Sequence, residues 1–238
     1  MSRSNPGLAL AAWLVAAGGA VLFLDLGATV ADGSPEIRVE RLLVNAGTVA
    51  EPFPVNTYVV VERTLGRALV IDPGADDPRI EAVLTEGRLV LAAILLTHGH
   101  WDHVGGVMGI RARHPGVPTV GGLADLPLLR KAGIPPLDKP LRGGETLRLG
   151  GIEVRALATP GHSPDSLCFL VGDRLFSGDT LFAGSIGRTD RRQDETLLLR
   201  GIRRCLFPLP DETQVFPGHG APTTLAEEKL LNPFLNGG

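Results

Sequence analysis

A run of six apolar residues, Leu91–Leu96, ends in Thr97-His98-Gly99-His100-Trp101-Asp102-His103, and any fold for this chain must be built around that junction. The run is short, continuous and uncharged, which predicts a buried central strand. Three imidazoles and one carboxylate then crowd into positions 98–103. Without a cation such groups would repel one another or sit unsatisfied. Neutral imidazoles and carboxylates are the usual N and O donors for Zn2+ and related metals. His98 and His100 alternate along extended chain, so they can point the same way. Asp102 and His103 come after a turn and can face a neighbouring point.

Four donors on one loop cannot close two metal sites, so partners are expected from later loops. Three candidates follow strand-like apolar runs: Pro160-Gly161-His162-Ser163, Ser177-Gly178-Asp179-Thr180 and Pro217-Gly218-His219-Gly220. In each, a glycine precedes the polar residue and permits a sharp turn that aims it inward. Five of the six histidines thus fall on strand-end loops. The sixth, His114, precedes Pro115 at a predicted helix end and reads as a surface or capping residue. Ser163 reads as a hydrogen-bonder within its loop. No Gly-x-Ser-x-Gly elbow and no Cys–His pairing marks a covalent nucleophile. Cys168 and Cys205 are too few for a disulfide framework and read as packed thiols.

The surrounding pattern is that of an α/β chain. Strands are predicted over Ile37–Val44, Thr57–Glu62, Ala68–Ile71, Leu91–Leu96 and Thr119–Gly121, with helices over Arg79–Glu86, Val104–Arg113 and Ala124–Ala132. A second set follows: Leu147–Leu149, Ile152–Ala158, Ser166–Val171, Arg174–Ser177 and Gln214–Phe216, with helices over Asp194–Leu206 and Leu225–Leu231. Strands then helices, twice over, suggest two β-rich halves with helices outside, a layered αββα sandwich. At 44% hydrophobic and 21% charged, the 238-residue chain is globular in composition. A net charge of −3 gives no electrostatic case for a nucleic-acid partner.

The N-terminus is a separate object. Residues 8–24, LALAAWLVAAGGAVLFL, are uncharged and mostly apolar, with Arg3 before them and Asp25 after. The run reads as a signal peptide or membrane anchor, with Thr29-Val30-Ala31 offering the small residues of a cleavage site. A packed extra helix, or a start codon upstream of the true one, is the other reading. The first pair of readings puts the protein in the periplasm or on a membrane; the second leaves it cytoplasmic. Residues 25–36 read as a linker, so the division is an apolar segment over 1–36 and a catalytic domain over 37–238. The sequence carries no mark of an oligomeric state.

From about Arg38 onward the motifs T-H-x-H-x-D-H (Thr97–His103), Pro160-Gly161-His162, Gly178-Asp179-Thr180 and Pro217-Gly218-His219-Gly220 resemble the metallo-β-lactamase fold superfamily. The stretches Phe176–Phe182 and Gly184–Asp190 look like its small, single-domain glyoxalase II-like hydrolases. The resemblance implies a four-layer αββα sandwich. It implies one metal held by His98, His100 and His162, a second held by Asp102, His103 and His219, and Asp179 bridging the two. Asp72 resembles the family's structural aspartate, which supports the ligand loop. Two Zn2+ per chain are expected, with Fe or Mn as the other candidates. Two cations about 3.5–4 Å apart share a water and lower its pKa toward 7. Asp102 and Asp179 would orient that water, and Arg188 would hold a substrate carboxylate. The Phe53–Tyr58 and Arg188–Arg192 loops would flank the metals.

The implied activity is hydrolysis of a thioester or related acyl substrate. The alternative is a persulfide dioxygenase with one Fe(II) at His98, His162 and Asp179. A non-enzymatic metal-binding module is the third class, but it would not need open coordination positions. Two departures leave the thiol part of the substrate open. The chain ends soon after His219, without the helical domain that grips glutathione in full-length glyoxalase II enzymes. It also carries Arg191-Arg192-Gln193 where relatives have a Pro-Gly-Gly-type turn.

Overall fold

The computed structural model describes residues 36–236; the apolar 8–24 run lies outside them. The first sheet holds β1 (Ile37–Asn45), β2 (Pro54–Glu62), β3 (Arg67–Ile71), β4 (Val90–Leu95), β5 (Thr119–Gly122) and β6 (Lys139–Leu141), in that spatial order. β1, β2 and β3 are antiparallel neighbours, and β3 to β6 run parallel. The parallel pairs are crossed by α1 (Pro78–Glu86), α2 (Trp101–Val104), α3 (Val107–Arg113) and α4 (Leu126–Lys131).

The second sheet holds β7 (Thr146–Leu149), β8 (Ile152–Ala158), β9 (Leu167–Val171), β10 (Arg174–Gly178), β13 (Gln214–Pro217) and β14 (Thr223–Thr224), in the order β14-β13-β10-β9-β8-β7. A small hairpin, β11 (Leu181–Phe182) and β12 (Ser185–Ile186), lies beside it. The outer helices are α5 (Arg192–Gly201), which continues into a π-helical turn over Ile202–Leu206, then α6 (Leu225–Leu231) and α7 (Pro233–Asn236).

Three apolar clusters make the layers. Tyr58, Leu69, Leu95, Val154, Phe169 and Phe176 fill the space between the sheets. Val59, Val70, Ile94, Ile80 and Ile110 join the first sheet to its helices. Leu170, Val215, Leu198, Ile202 and Leu225 do so for the second. The expected αββα sandwich is therefore present, and β8 alternates buried and exposed residues as a half-covered strand should.

Several boundaries differ from those read in sequence. The helix expected over Val104–Arg113 is broken between α2 and α3 by Gly105-Gly106. Both glycines press on the β3–α1 loop. A Cβ on Gly105 would lie 2.5 Å from the Gly74 carbonyl, and one on Gly106 2.3 Å from that of Ala75. Gly106 N–H donates to Pro73 O at 2.7 Å, so this loop replaces a helical turn. The strands β6, β11, β12 and β14 are two or three residues long, too short to show a period. The supposed Phe53–Tyr58 loop is mostly strand: β2 starts at Pro54, and Tyr58 is buried between the sheets, its hydroxyl donating to Pro217 O at 2.6 Å. Among the described residues no helix is long and apolar enough to cross a membrane.

Candidate metal centre

Parallel pairing of β3 with β4, and of β10 with β13, places the C-terminal ends of those strands at one end of the sandwich. Asp72 follows β3, the Thr97–His103 loop follows β4, His162 follows β8, Asp179 follows β10 and His219 follows β13. The two sheets are tied there by main chain: Leu167 N donates to Thr97 O, and Asn56 N donates to Gly218 O. All seven residues singled out as donors in the sequence meet at this end.

They form two adjoining groups. In His98, His100 and His162 the ring nitrogens crowd together: His162 Nε2 lies 2.9 Å from His100 Nδ1 and 3.2 Å from His98 Nε2. In the second, Asp102 Oδ2 lies 3.2 Å from His219 Nε2 and 3.4 Å from His103 Nε2. Asp179 stands between them, with Oδ1 3.3 Å from His103 Nε2 and Oδ2 3.5 Å from His162 Nε2.

The outward-facing ring nitrogens settle which atoms face the cluster. His162 Nδ1–H donates to Arg188 O at 2.7 Å, and His219 Nδ1–H to Pro54 O at 2.9 Å. His103 Nδ1–H donates to Asp72 Oδ2 at 3.0 Å. The Thr97 hydroxyl donates to the same carboxylate at 2.6 Å, so its oxygen accepts from His98 Nδ1–H at 3.1 Å. Four histidines therefore turn Nε2 inward. His103 Nε2 and Asp179 Oδ1 are buried with no hydrogen-bond partner among the described residues. Imidazole nitrogens and carboxylates that converge on buried atoms with no hydrogen-bond partner are what a cation satisfies, so the donor set fits a bound metal.

The charge balance agrees. Burial pushes the His98 ring well below the usual histidine range, and the neighbouring imidazoles push it further. Burial opposes charge on His103 too, but the Asp179 and Asp102 carboxylates outweigh it and hold the ring well above that range. Asp102 and Asp179 stay below the ordinary carboxylate range despite desolvation, because His103 and His219 face them. In the metal-free protein a proton on His103 neutralises the carboxylates; a metal would replace it.

The supporting residues lie deeper. Asp72 is buried, at φ 49°, and also accepts from Thr97 N at 2.8 Å. Its turn thus braces both the loop and His103, the supporting place the resemblance implied. Asp125 escaped the sequence reading. It is buried and accepts from Gly99 N, Ser163 Oγ and Asp165 N, joining the first histidine loop to the loop of His162. Ser163 is the loop hydrogen-bonder expected. Asn56, also overlooked, donates from Nδ2 to Pro217 O and Gly220 O and so fixes the His219 loop. A polar residue inside the apolar run Val55–Val61 was its one sequence signal. The glycines act in two ways: Gly161 and Gly178 have φ of 140° and 49°, whereas Gly218 is needed for space. A Cβ there would lie 2.3 Å from Asp179 Oδ1 and 2.5 Å from His103 Cε1.

The rim is partly aromatic. The Phe53 ring sits 5.5 Å from His219 and 5.3 Å from Trp101, and Phe182 lies 6.2 Å from His219. The Arg188 side chain is exposed and has no ion pair among the described residues; its carbonyl is what holds His162. His114, as expected, caps α3, and it pairs with Glu81 at 3.0 Å.

Known proteins resemble this chain in sequence and fold. Residues 50–219 match the Metallo-beta-lactamase superfamily. Hydroxyacylglutathione hydrolase GloC of Haemophilus influenzae is 39% identical over 186 residues, 71% of this chain and 87% of that protein. Among solved structures, BLEG-1 B3 metallo-beta-lactamase is 35% identical with a TM-score of 0.73, covering 84% of this chain and all of the other. TTHA1623 in a di-iron-bound form is 39% identical with a TM-score of 0.66, covering 82% of this chain. Fold, converging donors and these likenesses lead to one assignment: the chain belongs to the metallo-beta-lactamase superfamily, among its metal-dependent hydrolases.

Proposed function

We propose that the protein hydrolyses a thioester, or a closely related acyl substrate, at a centre of two divalent cations. The observation that carries this reading is the inward set of four Nε2 atoms, one Nδ1 and two carboxylates, arranged as two groups with Asp179 between them. His98, His100 and His162 would hold one cation, Asp102, His103 and His219 the other, and Asp179 would reach both. Such cations supply Lewis acidity to an acyl carbonyl and acidify water; zinc suits the mixed imidazole and carboxylate set, as iron or manganese also would.

The chain's own residues do the rest. Asp102 and Asp179, kept ionised by the histidines, accept hydrogen bonds and orient a water for attack. Asp72 and Asp125 hold the loops still, so reacting groups meet without reorganisation. Phe53, Trp101 and Phe182 wall one side of the mouth and exclude water from an apolar acyl part. Arg188, exposed and holding His162 through its carbonyl, would meet a carboxylate on the substrate. The likeness to GloC supports a thioester, and hydroxyacylglutathione thioesters head the test panel.

Metal content per chain, followed by turnover of a panel of thioesters and β-lactams, tests this. About two equivalents of metal with thioester turnover, lost in Asp179→Ala with the fold retained, is the expected result. One iron per chain, with oxygen consumed on a glutathione persulfide, would overturn it in favour of the dioxygenase. Hydrolysis of β-lactams alone would overturn the substrate class.

A further inference from the structure

The face of the second sheet's helices carries a feature that the metal centre does not use. A groove of about 920 Å³ runs between α5 with its π-helical turn and α7, lined by Arg192, Arg200, Arg203, Arg204, Glu195 and Phe234 among others. All four arginines are exposed, and none has a carboxylate within 4.0 Å among the described residues. Glu195 is the single carboxylate of the lining, so the groove is strongly positive on a chain of net charge −3. At 1.5 Å per residue, Arg192 to Arg204 extends along roughly 18 Å of helix. Arg203 is also braced, its Nη2 donating to Leu235 O at 3.1 Å.

The segment that runs from α6 into Phe234 of this groove carries apolar surface that no described element covers. Leu230 is 75% exposed, Leu231 70% and Phe234 47%, while Leu235 and Asn232 anchor the same segment inward. A compact anion would account for the arginines and leave the leucines unexplained. A face that offers both guanidiniums and large apolar side chains matches the boundary between lipid headgroups and acyl chains. The sequence adds a second pointer, since the uncharged run 8–24 precedes the fold by residues 25–36, which span at most about 40 Å. Embedded in a bilayer, that run would hold the domain within about 40 Å of the headgroups and raise the effective concentration of a weak contact.

We propose that the Arg192–Arg204 groove, with Leu230, Leu231 and Phe234 at its side, docks the protein on an anionic lipid bilayer surface. The guanidiniums meet the headgroup phosphates, and the leucines and the phenylalanine enter the acyl boundary. The inference is independent of the reaction proposed above.

Flotation of the full chain with vesicles tests it, using phosphatidylcholine alone or with phosphatidylglycerol as about a third of the lipid. Any contribution of residues 8–24 is common to both vesicles, so lipid is kept in the range where the protein is partly bound and the difference between the two lipids reports the groove. Each basic residue near an anionic surface raises partition about fivefold before screening, so wild type is expected to favour the anionic vesicles by more than about tenfold. R192E/R200E/R204E, which spares the Arg203 bond to Leu235 O, should erase that preference, with an unchanged thermal midpoint and metal content. The milder R200Q/R204Q should lower it part of the way, which covers a failure of the triple variant to fold. Leu230→Ser with Leu231→Ser should weaken binding to anionic vesicles. Equal binding to both lipids by wild type, or a preference kept in the charge-reversed variant, overturns the proposal. So does tight binding of inorganic phosphate in solution that anionic vesicles do not displace.

Discussion

Replacing Asp72 by Asn isolates what the buried carboxylate does. The side chains have the same shape, and Asn tolerates the φ of 49° that this position requires. Its Oδ1 can keep the Thr97 N–H now held at 2.8 Å. Its amide nitrogen must then face Thr97 Oγ1 and His103 Nδ1, which the carboxylate's other oxygen accepts from at 2.6 and 3.0 Å. The threonine hydroxyl can rotate and accept. His103 can accept only by moving its proton to Nε2, the atom aimed at Asp102 and Asp179. His98 keeps its partner, because the Thr97 oxygen has a second lone pair. The damage should therefore concentrate on the group of Asp102, His103 and His219. Partners behind a metal-binding histidine are worth about 10–100-fold in affinity, or about 1.4–2.8 kcal/mol. Exchanging charge-assisted hydrogen bonds for neutral ones should cost about 1–2 kcal/mol of folding stability. The assay is titration of the stripped protein with Zn2+ against a chromophoric chelator, fitted to two sites, with circular dichroism as the check on folding. One site weakened by that factor and the other nearly unchanged is the expected outcome. Two unchanged constants, or equal loss at both sites with the fold intact, would refute the reasoning.

Four further outcomes follow from the same geometry. Gly218→Ala drives a Cβ into Asp179 Oδ1 and His103 Cε1, so turnover should fall more than about tenfold for about 1–3 kcal/mol of stability, measured by kinetics and urea melts; wild-type kcat would contradict it. Asn56→Ala removes the donor to Pro217 O and Gly220 O and strands Arg41 Nε, and should cost about 1–3 kcal/mol in a urea melt while loosening the His219 loop in hydrogen exchange. Asp102 and Asp179 titrate below their unfolded values, so their stabilisation of the metal-free chain is complete above about pH 4 and is lost as pH falls through the folded values; His103 has the opposite sign, its contribution present below about pH 6.5 and lost as pH rises. A urea midpoint that stays flat on acidification below about pH 4 would count against the carboxylate part. Burial pushes the Cys168 thiol up to about 11, so iodoacetamide at neutral pH should modify it only after unfolding, as peptide mass mapping would show.

Much of this protein is legible one segment at a time. Leu91–Leu96 announces a buried strand because nothing polar interrupts it, and Ile152–Ala158 announces a half-covered one by alternation. The donors were legible too, since His98, His100, Asp102 and His103 are close in sequence and His162, Asp179 and His219 each follow a glycine at a strand end. These are local signals, carried by periodicity and turn chemistry that adjacent residues set among themselves. Nothing local says that Asn56 will reach Pro217 and Gly220, or that Asp125 will gather Gly99, Ser163 and Asp165, because each joins segments dozens of residues apart. The break at Gly105-Gly106 has the same origin: the β3–α1 loop lies against those glycines, and an isolated helix has no such neighbour. Tertiary packing also decided which nitrogen of His103, His162 and His219 faces inward. His98 gives its outer proton to the neighbouring Thr97, but those of His103, His162 and His219 go to Asp72, Arg188 O and Pro54 O, acceptors far along the chain that only the folded structure brings to the rings.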